Sequence, residues 1–245
     1  MGPYLLVGVP RSGTSWTGET LGRAQGVRYV DEPDGFRDPF PFRVMLELGE
    51  NPAIAPGASV ADYERLWAGS FSGGMPPRGL RSRISNRAYH SVATEDRQRA
   101  RAGQGIVPAL RLAARCAQPP VADPGAAHVL VKSVQCARSV EWIVQRFEPR
   151  VALILRNPLN ALASWRDFGF AKNPREAASL AAYAHERWGI TAPAESEPQL
   201  AQQTFTFGVL TAALLAAADR HSGWLVVRHE ELCCLFVTIL IHPNK

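Results

Sequence analysis

Cysteine is scarce in this chain, and its few positions form no pattern with a chemical use. The four cysteines are Cys116, Cys136, Cys233 and Cys234. No CxxC spacing and no paired histidines accompany them, so the sequence predicts neither a zinc site nor a disulfide framework. We therefore expect a protein of the reducing cytoplasm.

A leader segment and a long apolar run are also missing. The chain starts almost directly with an apolar stretch typical of a strand, which leaves no room for a charged and then apolar signal segment. The apolar runs 209–218 and 232–241 are shorter than the roughly 20 residues that cross a bilayer. The 245 residues, 46% of them hydrophobic and 20% charged, predict one soluble domain without a membrane partner.

The chain lacks a strong charge excess. Its formal net charge of +5 suits an anionic ligand. A nucleic-acid site would need a basic motif together with base-stacking aromatic residues, and the sequence has no such combination. We expect a small acidic ligand and no nucleic-acid partner.

The most informative stretch that is present is 4–16, where an apolar run meets a glycine-containing turn and then the start of a helix. The turn after a buried parallel strand directs backbone N–H groups to one point at a helix N-terminus, and such a point binds phosphate. Thr14 and Ser15 can add hydroxyl donors, and Arg11 adds a fixed positive charge. An ordinary glycine-containing turn of an α/β protein is the alternative interpretation.

The lysine of a nucleoside triphosphate loop is absent from this stretch. Gly8 to Gly13 match the first six positions of a Walker A motif. Thr14 and Ser15 stand where that motif requires Lys and then Ser or Thr. Without the lysine, the β/γ-phosphate contact loses its main cation, so the loop favours a smaller phosphate group.

Three further apolar runs end in residues that can bind anions or accept protons. These runs and residues are 27–30 with Asp31 and Glu32, 128–134 with Lys132, and 150–156 with Arg156. Open α/β sheets bind ligands at the carboxyl ends of their strands, so we expect these side chains at one edge of a sheet. We also expect the strand at 27–30 to lie beside the phosphate-loop strand.

Strands that alternate with helical patterns predict an α/β fold. We expect a three-layer α/β/α arrangement with a central parallel sheet, P-loop-like, and a further buried strand at 224–228. Prolines and glycines interrupt the periodicity at about 34–125. We expect a largely helical insertion there, with helices at 60–70 and 93–115, that forms the acceptor side of a single domain, 1–245.

Residues 10–16, together with Arg156 and Ser164 eight residues apart, resemble the motifs of the PAPS-dependent sulfotransferases. The resemblance extends to 131–133 and 227–232, and it covers the sheet but little of the insertion. It implies 3′-phosphoadenosine-5′-phosphosulfate (PAPS) as cofactor, 3′,5′-ADP (PAP) as product, and no metal. The implied cofactor-binding residues are Arg11, Ser12, Gly13, Thr14, Ser15 and Trp16 for the phosphosulfate loop, and Arg156 and Ser164 for the 3′-phosphate.

The resemblance also implies a reaction, the transfer of a sulfuryl group to a hydroxyl or amine of a small-molecule or carbohydrate acceptor. Arg11 and Lys132 would stabilise negative charge on the leaving phosphate. The cytosolic branch of the family has a histidine two residues after this lysine, where this chain has Val134. Other branches use a carboxylate, so Glu32 is the expected general base.

Alternatives stay open at three points. The general base is Asp31 or His90 if it is not Glu32. The whole protein is a P-loop-type kinase of a small molecule or a non-catalytic nucleotide-binding module if it is not a sulfotransferase. The apolar segment 233–245 stands where the family usually has a basic closing loop, and it fits a last strand, a truncation product or the contact of a homodimer.

Overall fold

The chain folds into an α/β domain built around one sheet. The computed structural model describes residues 2–170 and 173–234. The strands are β1 (Tyr4–Val7), β2 (Val27–Asp31), β3 (His128–Ser133), β4 (Arg150–Leu155) and β5 (Leu225–Arg228). The helices are α1 (Thr14–Leu21), α2 (Pro39–Leu48), α3 (Ala61–Phe71), α4 (Leu80–His90), α5 (Thr94–Arg101), α6 (Pro108–Cys116), α7 (Val140–Phe147), α8 (Pro158–Asp167), α9 (Pro174–Trp188) and α10 (Gln199–Arg220). Residues 229–234 are also helical.

All neighbouring strands are parallel, and their order in the sheet is β2-β3-β1-β4-β5. The expectation that the first two strands are adjacent is wrong, because β3 lies between them. Val131 of β3 is aligned with Leu5 of β1 on one side and with Val30 of β2 on the other. β3 is the more apolar strand and takes an interior position, whereas β2 carries Arg28 and is only half-buried at the edge.

Apolar side chains pack on both faces of the sheet. Leu5 and Val7 of β1 belong to the main core, which also contains residues of α7, α8 and α10. Leu6 between them packs in a second cluster with Leu130 and Ile154. Alternate residues of a strand point to opposite faces, and a strand buried on both faces reads as an unbroken apolar run. The predicted α/β fold with a parallel sheet is therefore confirmed.

The insertion between β2 and β3 is largely helical, as expected, and α3 agrees with the helix predicted at 60–70. The single helix predicted at 93–115 is wrong. Gly103 and Gly105 have left-handed φ values of 76° and 109° after the end of α5, and Pro108 begins α6. The sequence did not reveal α2, because its two prolines lie in the first helical turn, where proline is tolerated.

β5 is an edge strand rather than the buried strand that its apolar sequence predicts. Leu225 is 61% exposed, and within the described ranges β5 pairs with β4 alone. The strand ends at Arg228, and the helical segment 229–234 follows it. Most of the C-terminal segment 233–245 lies outside the described residues, so its interpretations stay predictions.

α10 passes through the main core, where Phe207, Leu210 and Leu214 are buried. Among the residues that the structure covers, it is the one helix whose length and mean hydropathy of 1.4 would suit a membrane span. The buried core helix of a soluble protein has the same composition. The expected lack of a membrane partner therefore stays a prediction.

Two helical glycines allow a direct test of the packing. A Cβ atom at Gly69 in α3 would meet the backbone of Pro120, whereas one at Gly208 in α10 would meet nothing within 4 Å. We expect Gly69→Ala to lower the free energy of unfolding by about 2–3 kcal/mol through overpacking. Gly208→Ala should raise it by about 0.5–1 kcal/mol, because alanine is the better helix former. Denaturant unfolding measures both, and equal effects would contradict the packing of α3 on Pro120.

Candidate active site

The carboxyl ends of four strands bring the predicted site residues together. The residues at these ends are the turn 8–13 after β1, Asp31 in β2 and Glu32 after it, Lys132 in β3 and Arg156 after β4. Because the strands are parallel, their carboxyl ends meet at one edge of the sheet, as expected. β1 lies between β3 and β4, so the loop is flanked by the lysine on one side and the arginine on the other.

The turn after β1 has the geometry of an anion-binding loop. The Ser12 N–H donates to Val9 O over 3.1 Å, and Gly13 has a left-handed φ of 94°. The N–H groups in the first turn of α1 have no intrahelical acceptor and point out of the helix N-terminus. Ser12 Oγ is buried without a hydrogen-bond partner in the described part of the chain. Donors directed to one place fit a phosphate or sulfate group.

A cavity of about 570 Å³, the loop cavity, opens over this turn. Three arginines and one acid line it, which favours an anionic ligand. The Trp16 indole in its wall is 40% exposed and lies edge-on to the His229 ring, with ring centres 6.0 Å apart. The lining residues are Pro10, Arg11, Gly13, Thr14, Ser15, Trp16, Glu32, Arg37, Val134, Arg156, His229 and Cys233.

The two motifs predicted to bind phosphate, residues 10–16 and the pair Arg156 and Ser164, contact each other through Arg11. Arg156 Nη1 donates to the backbone oxygen of Arg11 over 2.8 Å, and Arg156 Nε has no partner in the described residues. Arg11 has a left-handed φ of 68°. Its Nε donates to Ser164 Oγ over 2.9 Å, and its guanidinium lies 4.1 Å from the centre of the Phe168 ring. Ser164 thus lies beside the loop cavity without lining it.

Lys132 is almost fully buried, with 1% of its surface exposed. Its Nζ donates to Ser15 Oγ at 2.9 Å and to two carboxylates, Asp31 Oδ1 at 3.1 Å and Glu32 Oε1 at 2.5 Å. An ammonium has three N–H groups, so these acceptors saturate it. Lys132 does not line the loop cavity, and it contacts the loop through Ser15. Lys132 is predicted to stabilise a phosphate directly, and such a contact would require one of these three hydrogen bonds to break.

The two acids at the end of β2, Asp31 and Glu32, differ in how many hydrogen bonds their carboxylates accept. Asp31 accepts hydrogen bonds from Lys132, from Tyr29 at 3.0 Å and from Arg37 at 2.7 Å. Burial alone would raise its pKa, but the Lys132 charge and these hydrogen bonds hold the pKa below its ordinary value. Glu32 has a left-handed φ of 45°, and its Oε2 has no hydrogen-bond partner in the described residues. Glu32 is therefore the acid with an oxygen available to a ligand.

A second cavity of about 320 Å³, the insertion cavity, lies between the end of β2 and helices of the insertion. Glu32 and Arg37 line both cavities, so Glu32 stands at the boundary between them. Asp31 lines the insertion cavity alone. His90, the remaining candidate base, is exposed on α4 and lines neither cavity.

His229 is a residue of the site that the sequence did not reveal. Its ring lies against Gly13, where any side chain would collide with it, and its Nδ1 is buried without a partner in the described residues. Burial and the charge of Arg156 lower the pKa of His229 below its ordinary value, which favours the neutral form of the ring. The resemblance to the sulfotransferases extends over 227–232, which includes His229, but it implies no role for this histidine.

Asp34 is a second residue without a sequence signal, and it is buried within the turn that begins at Glu32. Ser133 Oγ lies 2.7 and 2.9 Å from the two oxygens of its carboxylate. This contact ties the turn after β2 to the end of β3, next to Lys132. Burial raises the pKa of Asp34 to about 7, and the hydrogen bond from Ser133 offsets only part of that rise.

Comparison with known proteins assigns no family to the chain. No model of a known protein family matches it, and no curated protein sequence matches it either.

Asp34 makes the stability of the protein depend on pH. Its pKa rises from an ordinary 3.8 to about 7 on folding, so the folded state binds the extra proton and stability falls as pH rises through this window. We expect a loss of about 2–3 kcal/mol of unfolding free energy between about pH 5 and pH 8. Asp34→Asn should flatten this dependence, whereas Asp38→Asn at an exposed site should not. Denaturant unfolding at these two pH values measures the free energy of unfolding. Equal pH dependence in Asp34→Asn and in the parent protein would contradict the raised pKa of Asp34.

Proposed function

We propose that this protein is a PAPS-dependent sulfotransferase that transfers a sulfuryl group to a hydroxyl of a small molecule. The observation that carries the proposal is the position of Glu32 at the boundary of two cavities. One is basic and contains the phosphate loop, and the other is walled by the insertion. A donor and an acceptor bound on the two sides would meet at the Glu32 carboxylate. The proposed scaffold is a P-loop-like, three-layer α/β/α fold.

The residues around the loop have the chemistry that PAPS requires. The N–H groups of the turn 10–15 suit the phosphosulfate, whereas the buried Ser12 hydroxyl does not line the loop cavity. Arg156, whose Nε is unpartnered within the described chain, suits the 3′-phosphate, with Ser164 close by. Trp16 and His229 present aromatic surface to a purine base. Bound there, PAPS would supply an activated sulfuryl group on a phosphate leaving group.

Glu32 is the proposed general base. Its Oε2 can accept the proton of the acceptor hydroxyl, while Lys132 holds Oε1 in place. The Glu32 N–H donates to Lys132 O over 2.8 Å, which fixes the left-handed backbone at this position. Asp31 is less suited, because three donor side chains already bind its carboxylate. Lys132 also binds Ser15, so the same ammonium positions the base relative to the phosphate loop.

The arginines of the loop cavity supply the positive charge for this reaction. Negative charge grows on the leaving phosphate as the bond to sulfur breaks, and donors that are already in place stabilise it without reorganisation. Arg11 and Arg156 hold each other beside the turn through the bond to Arg11 O. Arg37, which the sequence did not single out, is fixed by Asp31 and lines both cavities. It therefore lies where the transferred group would pass.

A kinase is less well supported by these contacts. No lysine lines the loop cavity in the described residues, and the ammonium that contacts the loop, that of Lys132, is saturated by its three acceptors. A nucleoside triphosphate would therefore find no ammonium ready for its β- and γ-phosphates. The absence of a metal requirement stays a prediction.

Nucleotide binding tests the assignment of the loop cavity. We expect 3′,5′-ADP to raise the melting temperature more than AMP or ATP does, because ligand binding stabilises the folded state by mass action. Arg156→Ala should weaken 3′,5′-ADP by roughly 2–3 kcal/mol and AMP much less, since the charged bond to the 3′-phosphate is lost. Arg166→Ala, an exposed arginine on α8, is the control. Equal losses for the two nucleotides, or a preference for ATP, would contradict the proposal.

The role of Glu32 is tested by rate. Glu32→Gln keeps the shape of the side chain and removes the base, so we expect turnover to fall by roughly a hundredfold or more. Affinity for 3′,5′-ADP should stay within about twofold in calorimetry, because the carboxylate binds no donor phosphate. Glu47→Gln on the exposed side of α2 is the control. Transfer from labelled PAPS to a panel of hydroxyl compounds gives the rates, and undiminished turnover in Glu32→Gln would remove Glu32 as the base.

A further inference from the structure

We infer that Ser82, Asn86 and Gln118 form a recognition subsite in the insertion cavity, and that the acceptor is a small, uncharged molecule with an apolar body and two polar ends. One end would be the reacting hydroxyl beside Glu32, and the other an uncharged hydroxyl or carbonyl at this subsite. The identification of the reacting end rests on the proposed sulfotransferase function, whereas the subsite itself rests on the cavity alone.

Apolar side chains, several of them conformationally restricted, form about half of the walls of the insertion cavity. Phe40, Leu66 and Met75 supply large side chains. Proline side chains lose almost no conformational entropy when a ligand binds, so proline walls keep a cavity pre-formed. The prolines that line the cavity are Pro33, Pro39, Pro41, Pro76, Pro77 and Pro120. These walls suit a rigid apolar ring better than a ligand that needs hydrogen bonds along its whole length.

The two arginines of this cavity, Arg28 and Arg37, already have partners. Arg28 Nε donates to Gly73 O over 3.0 Å and lies 3.8 Å from the Asp123 carboxylate. Arg37 binds Asp31 over 2.7 Å. An acidic acceptor would therefore have to break an existing contact of Arg28 or Arg37 to pair with a cation. If it did not, its carboxylate would be buried without a partner, which is costly. This arrangement favours an uncharged acceptor over an acidic one.

Three neutral polar side chains remain without partners. Ser82 and Asn86 lie one turn apart on α4, and Gln118 follows α6. None of the three makes a side-chain hydrogen bond to another described residue, although Ser82 is only 5% exposed. All three line the insertion cavity, and none lines the loop cavity. Asn86 and Gln118 are half-buried, so Ser82 is the one of the three that is nearly closed off from water, and a ligand in the cavity can supply hydrogen-bond partners to all three.

The size of the cavity limits the acceptor further. A volume of about 320 Å³ lies at the lower end of the range for small-molecule sites. It accommodates a compound of one or two rings. A polysaccharide would have to enter with a single terminal unit, and the hydroxyls that face the apolar part of the walls would be unpaired.

Calorimetry without PAPS tests the cavity independently of any reaction. The probes are naphthalene-2,6-diol, 2-naphthol, 6-hydroxy-2-naphthoate and methyl glucoside. We expect the diol to bind best, 2-naphthol about 5- to 10-fold more weakly, and the carboxylate and the glucoside more weakly still. Tighter binding of the carboxylate or of the glucoside than of the diol, or no binding of the diol at millimolar concentration, would overturn the inference.

Variants then locate the binding site. Asn86→Leu removes the polar group at nearly constant volume, so it should weaken the diol about 5- to 10-fold and leave 2-naphthol within twofold. Gln98→Leu, on the exposed surface of α5 outside the cavity, should change neither probe. Ser82→Val is a second variant with the same expected pattern if Asn86→Leu fails to fold. Equal effects of Asn86→Leu and Ser82→Val on the diol and on 2-naphthol would contradict a polar subsite.

Titration with 3′,5′-ADP separates this inference from the proposed function. Binding of the diol without binding of 3′,5′-ADP would uphold the subsite and remove the sulfotransferase proposal. Binding of 3′,5′-ADP without binding of the diol would support the nucleotide site and overturn the subsite. We expect both ligands to bind, each without displacing the other, because the two cavities meet only at Glu32 and Arg37.

Discussion

The three hydrogen bonds of the Lys132 ammonium are the interaction on which the site depends. A buried charge costs several kcal/mol unless it is paired and hydrogen-bonded, and here Asp31, Glu32 and Ser15 provide all of the pairing. The phosphate loop and the turn after β2 therefore have to approach the end of β3 for the fold to be stable. The contacts that satisfy the lysine also set the distance between the phosphate loop and the proposed base.

The order of the strands makes this arrangement available. Lys132 is aligned with Leu6 of β1 on one side and with Asp31 of β2 on the other, so it lies between the loop and the acids. Arg11 and Glu32, which follow β1 and β2, both have left-handed backbones that non-glycine residues rarely adopt. Such strain persists where surrounding contacts impose it, and it is common at functional sites. Both residues line the loop cavity.

Local features of the sequence predicted the parts of the molecule that local rules govern. The loop at 10–16, the apolar strands and the helical insertion follow from periodicity, glycine and proline positions, and the strand-end rule placed Glu32 and Lys132 at one edge. The position of β3 between β1 and β2 could not be predicted, because pairing of distant strands has no local signal. His229 and Asp34 were missed for the same reason. Each acquires its role from a residue far away in the chain, Gly13 for the histidine and Ser133 for the aspartate.

The central claim is that Lys132 holds the turn after β1 and the proposed base, Glu32, next to each other where the two cavities meet. A crystal structure with 3′,5′-ADP bound tests this claim most directly. The nucleotide should lie in the loop cavity, with its 5′-phosphate on the turn 10–15, its 3′-phosphate at Arg156, and the Lys132 contacts to Ser15 and Glu32 retained. A nucleotide bound elsewhere, or one whose phosphate displaces Glu32 from the boundary of the two cavities, would contradict it.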